Sequence, residues 1–454
     1  MRRSFILLAG ACVVAGGAAM LGGDDRAPAA SINGAPLTGS PVATASAANA
    51  VPAAKPSTPE EAAAFEALAE EPREVTQAQP ARPPLGTLID LDRIERVDDH
   101  YEAPLKDGRR AVLTLDPDLQ PLAEKLLNES RAPRAGIVVM APDGRVLALA
   151  GRRTDEPSGG KEGTFDWRLA TDVWAPAASI FKLVTAAALV QQGVEPEASV
   201  CYHGGVRSVM ESNLTDSKKD GRCEDLTYGV AHSQNAIMGK LAYQKLVPEQ
   251  LDKMARTVGF TGALPGKELP GNAGVITIPE ERNLEFAKTA AGFLNSQLSV
   301  AGGALLATTF ANGGEQPVPR LIASIDGVEQ KAGKPKRVLP EKIARAVGRM
   351  MTQTCEKGSA AKIFSRKRTT TVAGKTGTLT RTEPFYMEHS WFVGFAPADK
   401  PEIVVSVLFG NPESWWLRGH EGAKRLIDRF MAVRDDATSR GKDRTAALER
   451  TKRP

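Results

Sequence analysis

Ser179 and Lys182 stand three residues apart in the run Trp174–Thr185, WAPAASIFKLVT. Residues three apart on a helix share a face, so this hydroxyl and this amine can meet. A serine becomes a nucleophile only when a base takes its proton. A lysine serves as that base only when burial or a neighbouring cation lowers its pKa. Free lysine titrates near ~10.4, so neutrality at pH 7 requires a fall of about three units, roughly 4 kcal/mol. The apolar residues Ile180, Phe181, Leu183, Val184 and Ala186 to Val190 supply a surrounding that favours such a fall, and Pro176 suits the first turn of the helix that carries the pair. The pair alone has little specificity, because Ser359-Ala-Ala-Lys362 repeats the same spacing by chance.

Two further stretches complete a set. Ser233-Gln234-Asn235 offers a second hydroxyl and an amide at the start of another helix, and Lys375-Thr376-Gly377-Thr378 lies on a strand-like run whose small residues let a substrate backbone approach. Each has a plainer reading. Ser233 can be a helix cap, Lys375 an edge-strand charge that discourages aggregation, and Lys182 the partner of a carboxylate. Ser-x-Asn recurs at Ser31-Ile-Asn33, whereas Lys-Thr-Gly is rarer. The ordered set is what carries weight.

With its S-x-x-K, S-x-N and K-T-G in that order, about 54 and then about 140 residues apart, the sequence resembles the transpeptidase domain of the penicillin-binding proteins and serine β-lactamases. Thr114-Leu-Asp-Pro-Asp-Leu-Gln, Ala311-Asn-Gly-Gly and Ser390-Trp-Phe-Val-Gly-Phe-Ala-Pro resemble further stretches of that family, so the likeness covers roughly residues 110 to 432. Two departures stand out: the family's usual Gly-Thr-Ala is Gly358-Ser359-Ala360 here, and the stretch before Thr114 is short for the amino-terminal domains of many relatives. The resemblance implies that Ser179 is acylated and Lys182 is its base. Ser233 passes protons with Lys182 and reaches the leaving amine, and Asn235 hydrogen-bonds the substrate's peptide backbone. Lys375 adds positive potential that keeps Lys182 neutral. Thr376 and Thr378 hold a terminal carboxylate, Gly377 lets the substrate lie close, and the N–H groups of Ser179 and Thr378 form an oxyanion hole. No metal and no cofactor enter this scheme.

The chain has 454 residues and a formal net charge of +4, too small for its length to suggest nucleic acid as a partner. Met1-Arg-Arg followed by the uncharged run Phe5 to Leu21 reads as an export signal or membrane anchor over 1–23. Residues 24–85 are rich in Ala and Pro and read as a disordered tether. A short lead-in over 86–110 precedes the transpeptidase domain at 111–432, and 433–454 is expected to be a charged flexible tail. Export puts the cysteines in an oxidising compartment, where Cys201 and Cys223 are expected to pair, while Cys355 reads as a buried apolar residue. The five histidines show no ligand spacing, and His232 reads as structural.

The elements that position these motifs follow from periodicity. Asp116-Pro117 starts a helix with Leu119, Leu122, Ala123, Leu126 and Leu127 on one face. A hairpin of 136–141 and 145–150 follows, helices occupy much of 240–310, and a helix spans Glu341 to Glu356. Strands at 369–378, 390–395 and 403–409 precede a last helix from Gly422 to Met431. This pattern predicts a mixed α+β fold, one antiparallel sheet built from strands of both chain ends and packed against helices on both faces.

The function expected is a D,D-transpeptidase of peptidoglycan, acting on stem peptides and inhibited by β-lactam antibiotics. It would face the periplasm or wall space, held at the cytoplasmic membrane or secreted, with other wall-synthesis proteins as partners. A D,D-carboxypeptidase differs only in handing the acyl group to water. A β-lactamase needs an activated water, which Glu280-Glu-Arg-Asn283 imitates in sequence. An inactive scaffold is the reading from another class.

Overall fold

Runs rich in Val, Ile and Phe near both ends of the folded region pair into one six-stranded antiparallel sheet. In spatial order its strands are Ala373–Arg381, Met387–Ala396, Ile403–Asn411, Arg134–Met140, Val146–Arg153 and Thr164–Phe165. The two chain ends join at the centre, where Val407 lies opposite Ile137. The computed structural model describes residues 89–206, 208–365 and 370–450, all within the second of the chain's two compact units, Pro80–Pro454. The signal or anchor at 1–23 and the tether at 24–85 lie outside the described residues.

Successive side chains of a strand point to opposite faces, and here both faces are apolar. Ile137, Val139, Val405, Val407 and Phe409 enter one core, with Val138, Met140, Val404 and Leu408 in the other. The first core is closed by the helix Leu119–Ser130, whose Leu119, Ala123, Leu126 and Leu127 meet Leu426 and Ile427 of the helix Gly419–Arg450. Asp116 starts the former helix by accepting from the N–H groups of Asp118 and Leu119. The second core includes the helices Lys182–Gln191, Val300–Ala311 and Glu341–Glu356. Val300 to Phe310 are buried without exception, as expected of a helix apolar on every side.

Two readings of the sequence need correction, and one stretch holds structure that the sequence did not announce. Pro176 does not open a helix: Ala175–Pro176 is a short strand paired with Ser296–Leu298. Ser179 then lies on a 3-10 turn, Ala178–Ile180, and the helix begins at Lys182. The lead-in carries strands Glu95–Val97 and His100–Pro104, which join Arg110–Leu113 across its boundary, and with Ile322–Ile325 and Val328–Glu329 they form a second sheet. Its charged outer face, where Arg110 pairs with Glu102 and Glu95, hides a faint alternation that in the three amino-terminal strands buries Tyr101, Ala103, Ala111 and Leu113. The last helix does not stop at Met431 but continues to Arg450, through Ala-, Arg- and Glu-containing sequence that favours helix without an apolar stripe.

Candidate active site

The turn that bears Ser179 is held from three sides. Trp391, fully buried on the second strand of the main sheet, donates from Nε1 to the Pro176 carbonyl at 2.9 Å. Ala177 N–H donates to Ser296 O at 3.1 Å. Gly292 lies so close that a Cβ there would sit 2.1 Å from Ala178 O, and its φ of +83° suits glycine. Ala178 itself has φ 50°, a left-handed conformation that costs a non-glycine residue of order 1–3 kcal/mol. Gly377 packs on the opposite side, its absent Cβ facing Ile180 Cγ1 at 3.2 Å. Packing thus forces the hydroxyl into one place.

Lys182 follows one turn later, with no measurable exposure. Its Nζ lies 2.7 Å from Ser179 Oγ, 2.8 Å from Asn235 Oδ1 and 2.6 Å from Ala291 O. The Asn235 and Ala291 oxygens can only accept. A neutral amine therefore gives its two N–H groups to them and keeps its lone pair for the Ser179 hydroxyl proton. Burial, and then the charge of Lys375, push Lys182 well below the usual lysine range. The Phe293 ring, its centroid 5.9 Å from Nζ, adds to the apolar wall. Lys375 is also fully buried, donates to Thr376 O at 2.9 Å, and is lowered by burial to about 7.

Ser179, Ser233, Asn235, Thr376, Thr378 and Phe293 line one cleft of about 340 Å³. Ser233 has φ 56° and sits between the helices Leu226–Ala231 and Asn235–Lys245. It is not the cap: the Gln234 side chain accepts from Ala236 N–H instead. Ser233 lines the cleft without being one of the three oxygens around Lys182 Nζ. Lys375 is no edge charge, since it points into the core although its strand is the outermost of the sheet. His232 is exposed, stacks on Tyr228 at 4.1 Å and is not among the cleft residues. Glu280 is exposed and Asn283 caps the helix Leu284–Ala290, so that stretch does not reach the cleft, whose described lining carries no carboxylate. Cys201 and Cys223 are joined by a disulfide, and Cys355 is buried.

Sequence reasoning missed several members. Ala291 supplies the carbonyl to Lys182, and Gly292 admits the turn that bears Ser179; neither belongs to a motif. Ser359, set aside with its partner Lys362, forms a 2.6 Å hydrogen bond between its Oγ and Thr376 Oγ1, while Lys362 is exposed. Its place in the Gly-Ser-Ala departure was the available signal.

Residues 135–428 match the penicillin binding protein transpeptidase domain, and the chain belongs to that family. It is 29% identical over 358 residues to stage V sporulation protein D of Bacillus subtilis, covering 73% of this chain and 54% of that protein. It is 24% identical over 360 residues to the peptidoglycan D,D-transpeptidase PbpA of Mycolicibacterium smegmatis, covering 69% of this chain and 70% of the relative. Among solved structures it resembles a ceftriaxone acyl-enzyme complex of penicillin-binding protein A from M. tuberculosis, with TM-score 0.56 and 19% identity over 71% of this chain and 80% of that one. The chain spans about half the length of the first curated relatives it matches.

Proposed function

We propose that this chain is a serine D,D-transpeptidase of peptidoglycan, acylated at Ser179 by D-Ala-D-Ala stem peptides and by β-lactams. The observation that carries the reading is the buried Lys182 amine, 2.7 Å from the Ser179 hydroxyl, with only neutral acceptors as its other partners. Ser179 Oγ attacks the carbonyl carbon between the two D-alanines as its proton passes to Lys182 Nζ. The N–H groups of Ser179 and Thr378 hold the oxyanion, each such donor contributing about 3 kcal/mol. Collapse breaks the C–N bond, and the proton on Lys182 reaches the leaving amine through the Ser233 hydroxyl. An acceptor amine then attacks the ester carbon, and its proton returns to Ser179 along the same route. Thr376 and Thr378 meet the terminal carboxylate, Lys375 adds positive potential from the buried side of the same strand, and Gly377 leaves room for the peptide.

Hydrolysis of the same ester, a D,D-carboxypeptidase, is the second reading, since nothing in the lining separates an amine from water as acceptor. A β-lactamase is disfavoured by the absence of a carboxylate among the described residues that line the cleft. Export, with residues 1–23 as signal or anchor and 24–85 as tether, completes the reading and puts other wall-synthesis proteins within reach. Among the described residues no helix is long and apolar enough to cross a membrane.

The test is incubation with fluorescent penicillin, with Ser179→Ala as control. Covalent, slowly released label on the wild type alone supports the acylation reading. A dark wild type favours the scaffold, and rapid turnover of penicillin favours the lactamase. Supplying a D-Ala-D-Ala pentapeptide with and without an acceptor amine then separates cross-linking from hydrolysis.

A further inference from the structure

The segment from Cys201 to Cys223 carries none of the motifs, yet it reaches the cleft. Its ends pair as a short ladder, Val200–Tyr202 with Arg222–Glu224, and the Cys201–Cys223 disulfide crosses that ladder. Lys240, on the helix that begins at Asn235, fastens the segment from below. Its Nζ donates to Cys201 O at 2.8 Å and to Asp220 Oδ2 at 2.7 Å, and pairs with Asp216 Oδ1 at 2.9 Å. Within the segment, His203 Nδ1 lies 2.6 Å from Asp220 Oδ1, and Asn213 Nδ2 donates to His203 O at 2.8 Å.

What this scaffold presents to the site is a pair of carbonyls. Asn235 Nδ2 donates to Gly205 O at 3.0 Å and to Val206 O at 3.3 Å. These two bonds decide which way the amide faces: with Nδ2 turned to the segment, Oδ1 is left for Lys182 at 2.8 Å. The approach is close enough to require glycine, because a Cβ on Gly205 would sit 2.4 Å from Ala236 Cβ and its φ is +76°. Val206, 83% exposed, stands at the lip of the same cleft.

We propose that the stapled segment is a positioning strap for acylation: the Gly205 and Val206 carbonyls hold the Asn235 amide oxygen on Lys182, and opening the Cys201–Cys223 bond releases that hold. The proposal rests on the reading of Ser179 as the acylated nucleophile. A dithiol such as dithiothreitol supplies the two electrons and two protons that convert the disulfide to two thiols, and is itself closed to a cyclic disulfide. The segment, whose cysteines are 22 residues apart, then loses its covalent closure and keeps the short ladder, the Lys240 and Gln244 contacts and the burial of Val209 and Leu214. An Asn235 amide free to rotate turns N–H groups toward Lys182. That removes an acceptor, disfavours the ammonium form, and loosens the amine beside Ser179.

The experiment follows acylation of the full chain by fluorescent penicillin from about pH 5 to 9, before and after dithiothreitol. The Cys201→Ser/Cys223→Ser double variant and Gly205→Ala run alongside. Reduction is expected to slow the wild type about tenfold, the scale of one lost hydrogen bond, and to move the acid limb of the pH profile lower. The double variant should be slow under both conditions, and Gly205→Ala slow with its disulfide intact. Equal rates in oxidised, reduced and double-variant protein would overturn the strap. So would a slower rate with an unmoved acid limb that tracks loss of folded protein in a thermal scan. If oxidised wild type takes no label at all, the acylation reading itself fails and takes the strap with it.

Discussion

Lys182 and Lys240 are both sealed from solvent, and their environments drive them in opposite directions. Lys240 is raised above the usual lysine value because hydrogen bonds and charge from Asp220 and Asp216 outweigh the burial that lowers it. Lys182 has neutral oxygens around it and a second ammonium, Lys375, nearby, so burial lowers it unopposed. Burial alone therefore says nothing about a lysine's role. What matters is whether a carboxylate was buried with it. The first arrangement fastens a loop, and the second leaves an amine suited to accept a proton.

Swapping both side chains for an apolar one should break this symmetry most sharply. Lys182→Met should lower the acylation rate by about 10³- to 10⁴-fold, the upper range for a positioned base, yet leave thermal stability unchanged or higher, since a buried amine without a counter-charge is removed. Lys240→Met should do the reverse to stability. It takes the ammonium from Asp220, whose side chain is only 6% exposed and keeps only His203 and the Ser217 N–H as partners, and should cost about 3 kcal/mol, read by chemical denaturation.

Lys375→Met sharpens the comparison from the other side. Removing the neighbouring positive charge lets Lys182 hold its proton to higher pH. The acid limb of the acylation profile should shift upward and the rate at neutral pH should fall by about 10- to 100-fold. Stability should respond as well. The unfolded state keeps the Lys375 proton up to about 10.5 while the folded state gives it up near 7. Between these values the unfolded chain binds more protons, so stability rises with pH by at most about 1.4 kcal/mol per unit. Denaturation midpoints across pH 7 to 9 should rise less in Lys375→Met than in wild type. For Lys240 the sign is opposite: its raised value makes its contribution complete below about 10.5 and lost only as pH climbs through the folded value. The smallest effect is expected of Ser359→Ala, which removes the hydroxyl on Thr376 and should slow acylation less than about tenfold at unchanged stability.

Much of the main sheet was legible because Val, Ile and Phe runs on both faces leave few other solutions, as in Ile403–Asn411. The helices Leu119–Ser130 and Glu341–Glu356 announced themselves by their apolar stripes. The sheet at Glu95–Leu113 did not, because its alternation is thin and its partner strand, Ile322–Ile325, lies some two hundred residues away. Pro176 misled for a related reason. Its place was fixed by Gln297 and Trp391, partners that local preference cannot know about.

The sequence by itself determined which residues had chemistry to offer. Ser179, Lys182, Ser233, Asn235 and the Lys375–Thr378 run are conspicuous by type, order and spacing, and their turn, helix and strand follow from neighbouring residues. Only the tertiary structure decided the charge on those groups. Whether an amine is a base depends on which oxygens surround it and which charges stand nearby. For Lys182 these come from Ala291, Asn235 and Lys375, between 53 and 193 residues away. Electrostatic energy follows distance in space, and spacing along the chain does not encode it.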